Sequence, residues 1–114
     1  MSVGLQVEIE DNGSSSIVRL AGRLDATTSP GLESKTAELM NKQGAKVLLD
    51  FARVDYLSSA GMRFLLSATK KINSAGGIVL LCSLSEDVME IIKMAGFERI
   101  LKIFPTEAEA LKSM

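Results

Sequence analysis

The chain has 114 residues, 46% of them apolar, and thirteen basic against fourteen acidic side chains leave a formal charge of −1. That length predicts one domain, residues 1–114, able to bury roughly two-thirds of its surface, and the apolar content excludes a disordered tail. The near-neutral charge and the lack of an apolar run of about 20 residues exclude direct nucleic-acid recruitment and membrane insertion, while zero histidines and one cysteine exclude imidazole catalysis, the usual zinc sites and an internal disulfide.

Leu5, Val7 and Ile9 alternate with Gln6, Glu8 and Glu10, the period-2 pattern of a half-buried strand. Asp11-Asn12-Gly13 is turn chemistry, because Asn and Gly tolerate positive φ. Ile17, Val18, Leu20 and Leu24 carry a second strand, which predicts an antiparallel hairpin. Ser29-Pro30 reads as an N-cap followed by proline at the first helical position. Leu32, Thr36, Leu39 and Met40 supply the apolar stripe of a helix that stops near Gly44.

Val47, Leu48, Leu49 and Phe51 form the nearly continuous apolar run of a strand covered on both faces. A short polar turn follows. Ser58-Ser59 then precede a helix with Met62, Leu65, Leu66, Thr69 and Ile72 at helical spacing, ended by Ala75-Gly76-Gly77. Ile78, Val79, Leu80 and Leu81 make another buried strand, closed by Cys82. Ser85 caps a third helix through Val88, Ile91, Ile92 and Ala95, and Gly96 stops it. Ile100, Leu101, Ile103 and Phe104 predict a short last strand, and Pro105-Thr106 open a terminal helix through Ala108, Ala110 and Leu111. From about residue 47 onward, strands alternating with helices predict right-handed βαβ crossovers. The fold class is α/β, a mixed sheet parallel in its centre with helices packed against it.

No Walker loop and no G-x-G-x-x-G turn is present, and aromatic residues are 4% with no Trp. The chain therefore lacks a phosphate cradle and a stacking platform for single strands. An enzyme here would run on carboxylates and hydroxyls alone, so the chain is read as a non-enzyme without metal or cofactor. No signal-peptide pattern opens the sequence, and a cytoplasmic location is expected. Cys82, Met89 and Met94 read mainly as packing residues, with Met94 and Phe97 as an alternative partner-facing patch.

Two segments concentrate functional signal. In Leu57-Ser58-Ser59-Ala60-Gly61-Met62-Arg63, two serines stand at the mouth of a helix, where hydroxyls accept from unpaired N–H groups and the dipole favours an anion. The plain structural reading makes Ser59 an N-cap only. Gly61 weakens the first turn by about 1 kcal/mol relative to Ala, which points to close backbone approach by a loop or a partner. In Gly22-Arg23-Leu24-Asp25-Ala26-Thr27-Thr28-Ser29-Pro30, an acidic residue leaves a strand before a hydroxyl-rich helix start. Its plain reading is an Asp that satisfies turn N–H groups. In a parallel-centred sheet these loops gather on one edge and become neighbours.

The order and spacing of Gly22-Arg23-Leu24-Asp25, Leu57 to Met62, Gly76-Gly77 and the ending Thr106 to Leu111 resemble the STAS domain, over essentially the whole chain. More narrowly, they resemble the bacterial anti-sigma factor antagonists of sporulation and stress-response switches. The resemblance implies four or five strands with about four helices mainly on one side. It also implies that a serine at the helix start is phosphorylated by a serine kinase that is itself the anti-sigma factor. Unphosphorylated antagonist binds that kinase and frees the sigma factor; a serine phosphatase of the PP2C type restores the binding form.

The family pattern Asp-Ser-(Ser/Thr/Ala)-Gly-Leu-Gly falls on Ser58-Ser59-Ala60-Gly61-Met62-Arg63. Ser59 thus takes the phosphoacceptor position, with Ser58 a minor candidate. Ser58 replaces the family Asp, and Arg63 replaces a Gly, placing a cation one turn into the helix. Asp25, Thr27, Ser58, Ser59, Gly61, Met62 and Arg63 are the expected partner-binding residues. A homodimer is not implied. The alternative is a STAS subunit without a phosphoswitch, such as the partner of a lipid-transport ATPase or part of a signalling assembly.

Overall fold

The computed structural model describes residues 4–114. Its elements run β1 (Leu5–Asn12), β2 (Ser15–Leu24), α1 (Ser29–Met40), β3 (Lys46–Leu57), α2 (Ser59–Ser74), β4 (Ile78–Cys82), α3 (Glu86–Met94), β5 (Lys102–Phe104) and α4 (Glu107–Lys112). The strands lie side by side in chain order in one five-stranded sheet. β1 pairs antiparallel with β2 through the predicted hairpin, and β2, β3, β4 and β5 are mutually parallel. The parallel part therefore begins at β2, one strand before the position near residue 47 where the sequence places the first crossover. α1 already returns the chain so that β3 lies beside β2. That helix ends at Met40, short of Gly44, with Asn41 at its C-cap.

β3 is longer than its apolar run. Residues 52–57, expected as a polar turn, remain in the sheet to Leu57. Irregular register opposite β2, between Arg19 and Ala21 and between Gly22 and Arg23, adds residues to β3. Phe51, Val54 and Leu57 consequently reach the core at every third position instead of every second. Strict alternation cannot reveal such a strand.

Strand alternation divides the apolar residues between two faces. Val18, Leu20, Val47, Leu49, Phe51, Val79 and Leu81 share the main core with Leu32 of α1, Leu65 and Ile72 of α2, and Val88 and Ile92 of α3. Ile17, Leu48, Leu80 and Cys82 form a smaller core under Ala110 and Leu111 of α4. Three helices thus cover one face, and the short α4 covers part of the other. Burial raises the pKa of the Cys82 thiol there. Beside α4 the sheet surface is polar: Arg19 pairs with Glu10 at 2.7 Å and with Asp50 and Glu107 at 2.8 Å each. These ion pairs join β1, β2, β3 and α4. Among the described residues, no helix is long and apolar enough to cross a membrane.

Candidate functional site

The ladder between β2 and β3 carries the two signal-bearing segments to one edge. Leu24 pairs with Leu57, and one residue later the Ser58 N–H donates to the Leu24 carbonyl at 3.0 Å. Ser58 is thereby held extended, at φ −95° and ψ 177°. From there its hydroxyl accepts from the Gly61 N–H at 3.2 Å, and its carbonyl accepts from the Met62 N–H at 2.9 Å. Ser58 is therefore the N-cap of α2, and the expectation that Ser59 caps the helix is wrong by one residue. The cause is the length of β3: the strand continues until Ser58, and the first residue free to turn is Ser59.

Ser59 is the first residue of α2 and is exposed. Among the described residues its hydroxyl has no hydrogen-bond partner. Gly61 is buried against the loop, because a Cβ on it would lie 2.5 Å from the Leu24 carbonyl oxygen and 2.8 Å from Leu57 Cδ1. Of the two explanations for that glycine, the neighbouring loop is the one found.

Asp25 serves its own turn. Its Oδ1 accepts from the Thr27 hydroxyl at 2.9 Å, the Thr27 N–H at 3.0 Å and the Thr28 N–H at 3.1 Å. The Thr27 hydroxyl foremost, then the backbone N–H groups, hold the Asp25 carboxyl below its ordinary pKa. Its Oδ2 lies 3.5 Å from Arg23 Nε, and the Arg23 guanidinium sits 4.2 Å from the centre of the half-exposed Tyr56 ring. The helix start differs from the expected N-cap at Ser29. Thr28 holds the cap position with helical backbone and no side-chain cap bond, Ser29 is the first helical residue, and Pro30 is the second. The Ser29 hydroxyl instead donates to the Asp25 carbonyl at 2.7 Å. The Asp25 turn takes over the role assigned to a cap.

Of the predicted residues, Thr27, Ser59 and Arg63 are exposed, Asp25 and Ser58 half-buried, and Gly61 and Met62 buried. Arg63 and Met62 border a groove of about 250 Å³ beside the serines, which Leu66 of α2 and Ile91, Ala95 and Phe97 at the end of α3 complete. The α3 side of that groove was legible only as the Met94 and Phe97 patch. Leu66 and Ile91 read as core from their helical spacing, and only the placement of α3 shows that they are half-exposed. Among the described residues, no group of three or more His, Cys, Asp or Glu side chains is placed to hold a metal ion.

Chemically, the site offers an exposed hydroxyl at the positive end of a 16-residue helix. Without a hydrogen-bonded base, that hydroxyl is not activated as a nucleophile. It can instead receive a group, and an anion attached there meets the helix dipole favourably.

The family profile of the STAS domain matches residues 6–110. BtrV of Bordetella bronchiseptica is 36% identical over 89 residues, 78% of this chain and 74% of that protein. The anti-sigma F factor antagonist of Paenibacillus polymyxa is 29% identical over 113 residues, 98% of this chain and 97% of that protein. Among solved structures, the anti-sigma factor antagonist SpoIIAA superimposes with a TM-score of 0.76 in its unphosphorylated form, at 18% identity over 95% of each chain. The phosphorylated form of Bacillus SpoIIAA superimposes with a TM-score of 0.70, again at 18% identity, over 95% of this chain and 98% of that one.

Proposed function

The chain belongs to the STAS domain family, and on that premise we propose that it is an anti-sigma factor antagonist switched by phosphorylation of Ser59. In its unphosphorylated form it binds an anti-sigma factor that is also a serine kinase, and the sigma factor is released. The kinase transfers the γ-phosphoryl group of ATP to the Ser59 oxygen, the bond to the β-phosphate breaks, ADP and the hydroxyl proton leave, and binding is lost. A PP2C-type serine phosphatase hydrolyses the ester and returns the hydroxyl. The protein acts by binding, not by catalysis.

The observation that carries this reading is the division of labour between the two serines. Ser58 is committed to the helix cap, at the position where the family pattern has an Asp that is equally suited to capping. Ser59 is exposed and uncommitted. A phosphate adds about −1.5 to −2 charges, which the N-terminus of α2 tolerates, so the fold survives while a docked partner meets new charge and bulk. The similarity to the Paenibacillus anti-sigma F factor antagonist and the two phosphorylation states of SpoIIAA support the same reading.

Tandem mass spectrometry after incubation with the serine kinase of the same host tests it. Phosphate chiefly on Ser59 is expected. Phosphate chiefly on Ser58, or on neither serine, overturns the assignment.

A further inference from the structure

The groove beside Ser59 continues along α2 into a second hollow of about 590 Å³, and the two share Leu66 and Phe97. The second hollow reaches Asn73 and Ile100. From Ser59 to Asn73, α2 rises about 21 Å, close to four helical turns. Met62, Leu66, Ile91 and Phe97 supply an apolar floor. Ile100 at its far end is 55% exposed. A large apolar side chain left in water at the end of a continuous apolar floor marks a surface that something covers.

The charges say what kind of segment covers it. Arg63 and Lys70 are the charged residues lining the two hollows, and both are cations. Neither forms an ion pair among the described residues. We propose that this α2–α3 groove docks an amphipathic helix of the partner protein whose apolar face is flanked by carboxylates, with Arg63 pairing to that flank. Arg63 stands four residues after Ser59, on the same face of α2 and within reach of a phosphate placed there. This inference rests on the Ser59 reading for its regulation: the phosphate takes Arg63 from the acidic flank and repels what remains.

The test uses the full chain, isotope-labelled, and two synthetic amphipathic peptides of about four turns. They share one leucine stripe and differ only in Glu or Lys flanks. The Glu-flanked peptide should bind at least about tenfold more tightly than its Lys-flanked twin, with amide shifts centred on Met62, Leu66, Phe97 and Ile100. Arg63→Glu should abolish that preference, and Ile100→Glu should weaken binding at least about tenfold, with both variants melting like the parent chain. Equal binding of the two peptides, or shifts centred elsewhere, overturns the proposal. A dimer by sedimentation that Ile100→Glu splits gives the groove to a second copy and also overturns it. Phosphate on Ser59 without peptide preference overturns the groove alone. Peptide preference without phosphate on Ser59 supports the groove and overturns the phosphate exchange at Arg63.

Discussion

The carbonyl oxygen of Leu24 lies 2.5 Å from the point where a Cβ of residue 61 would stand, so Leu24 and Gly61 fit together only because Gly61 has no side chain. That contact sets the loop after β2 against the first turn of α2. With the Ser58 N–H bonded to the same carbonyl, it holds the exposed serine and the Asp25 turn in one fixed relation.

Gly61→Ala tests the closeness directly. Helix propensity alone favours Ala by about 1 kcal/mol. Overpacking opposes it by about 1–3 kcal/mol, and the cost falls in the upper part of that range, about 2–3 kcal/mol, because a backbone carbonyl, unlike a flexible side-chain end, does not swing away. Calorimetric melting should show Gly61→Ala destabilised by on the order of 1–2 kcal/mol. A melting temperature equal to or above that of the parent chain refutes the close approach.

The two serines should separate cleanly in stability. Ser58→Ala removes the side-chain acceptor for the Gly61 N–H and should cost about 1 kcal/mol. Ser59→Ala loses no hydrogen bond and should stay within about 0.5 kcal/mol. Ser59→Asp gains roughly 0.3–1 kcal/mol from the helix dipole. Under the proposed switch, binding to an anti-sigma kinase should run the other way, with Ser59→Ala retained and Ser59→Asp weakened about tenfold, or 1.4 kcal/mol. Denaturant melts and calorimetric titration of the parent chain and the three variants check both orders, and Ser59→Asp binding like the parent chain sinks the switch.

Asp25 should leave a signature in acid. Its pKa is lowered in the folded chain, so its ionised form contributes stability above its unfolded pKa, and that stability is lost as pH falls through the lower folded value. Asp25→Asn has already lost this contribution at neutral pH and has no more to lose. The melting-temperature gap between parent and variant should therefore narrow from about pH 7 to below about pH 4. A gap that stays constant places the stabilisation elsewhere. Asn also keeps one acceptor oxygen, so the fold should survive and weakened kinase binding would report the partner surface itself.

Arg19 is the shared cation of Glu10, Asp50 and Glu107, and the Asp50 side chain is only 14% exposed. Arg19→Met leaves that carboxylate without its ion-pair partner. The cost should fall between the ~1 kcal/mol of exposed pairs and the ~3–5 kcal/mol of buried ones, and added salt should reduce the difference. Because Glu107 belongs to α4, hydrogen exchange over residues 107–112 should quicken and the Cys82 thiol beneath should react faster with a thiol reagent. Unchanged exchange in α4 would show that its apolar contacts alone hold it.

The helices and the central strands were readable because their information is local. Met62, Leu65, Thr69 and Ile72 repeat at the helical period, and Val47 to Leu49 or Val79 to Leu81 are apolar on both faces wherever the sheet forms. The order of Gly22 to Asp25, Ser58 to Arg63 and Gly76-Gly77 likewise sufficed to point to the family, since spacing along a chain needs no coordinates.

What the residues alone left open depended on contacts between distant segments. Which serine caps α2 turned on how far β3 runs, and that was decided by its irregular pairing with β2, where Val54 and Leu57 replace simple alternation. Whether α4 lies on the far face likewise required the sheet to be assembled. The α2–α3 groove joins Leu66 to Phe97, 31 residues apart in sequence. Periodicity states which side of a helix is apolar. Only packing in three dimensions decides how much of that side is covered, so the local pattern determined the elements and the tertiary contacts determined which apolar surface stays open.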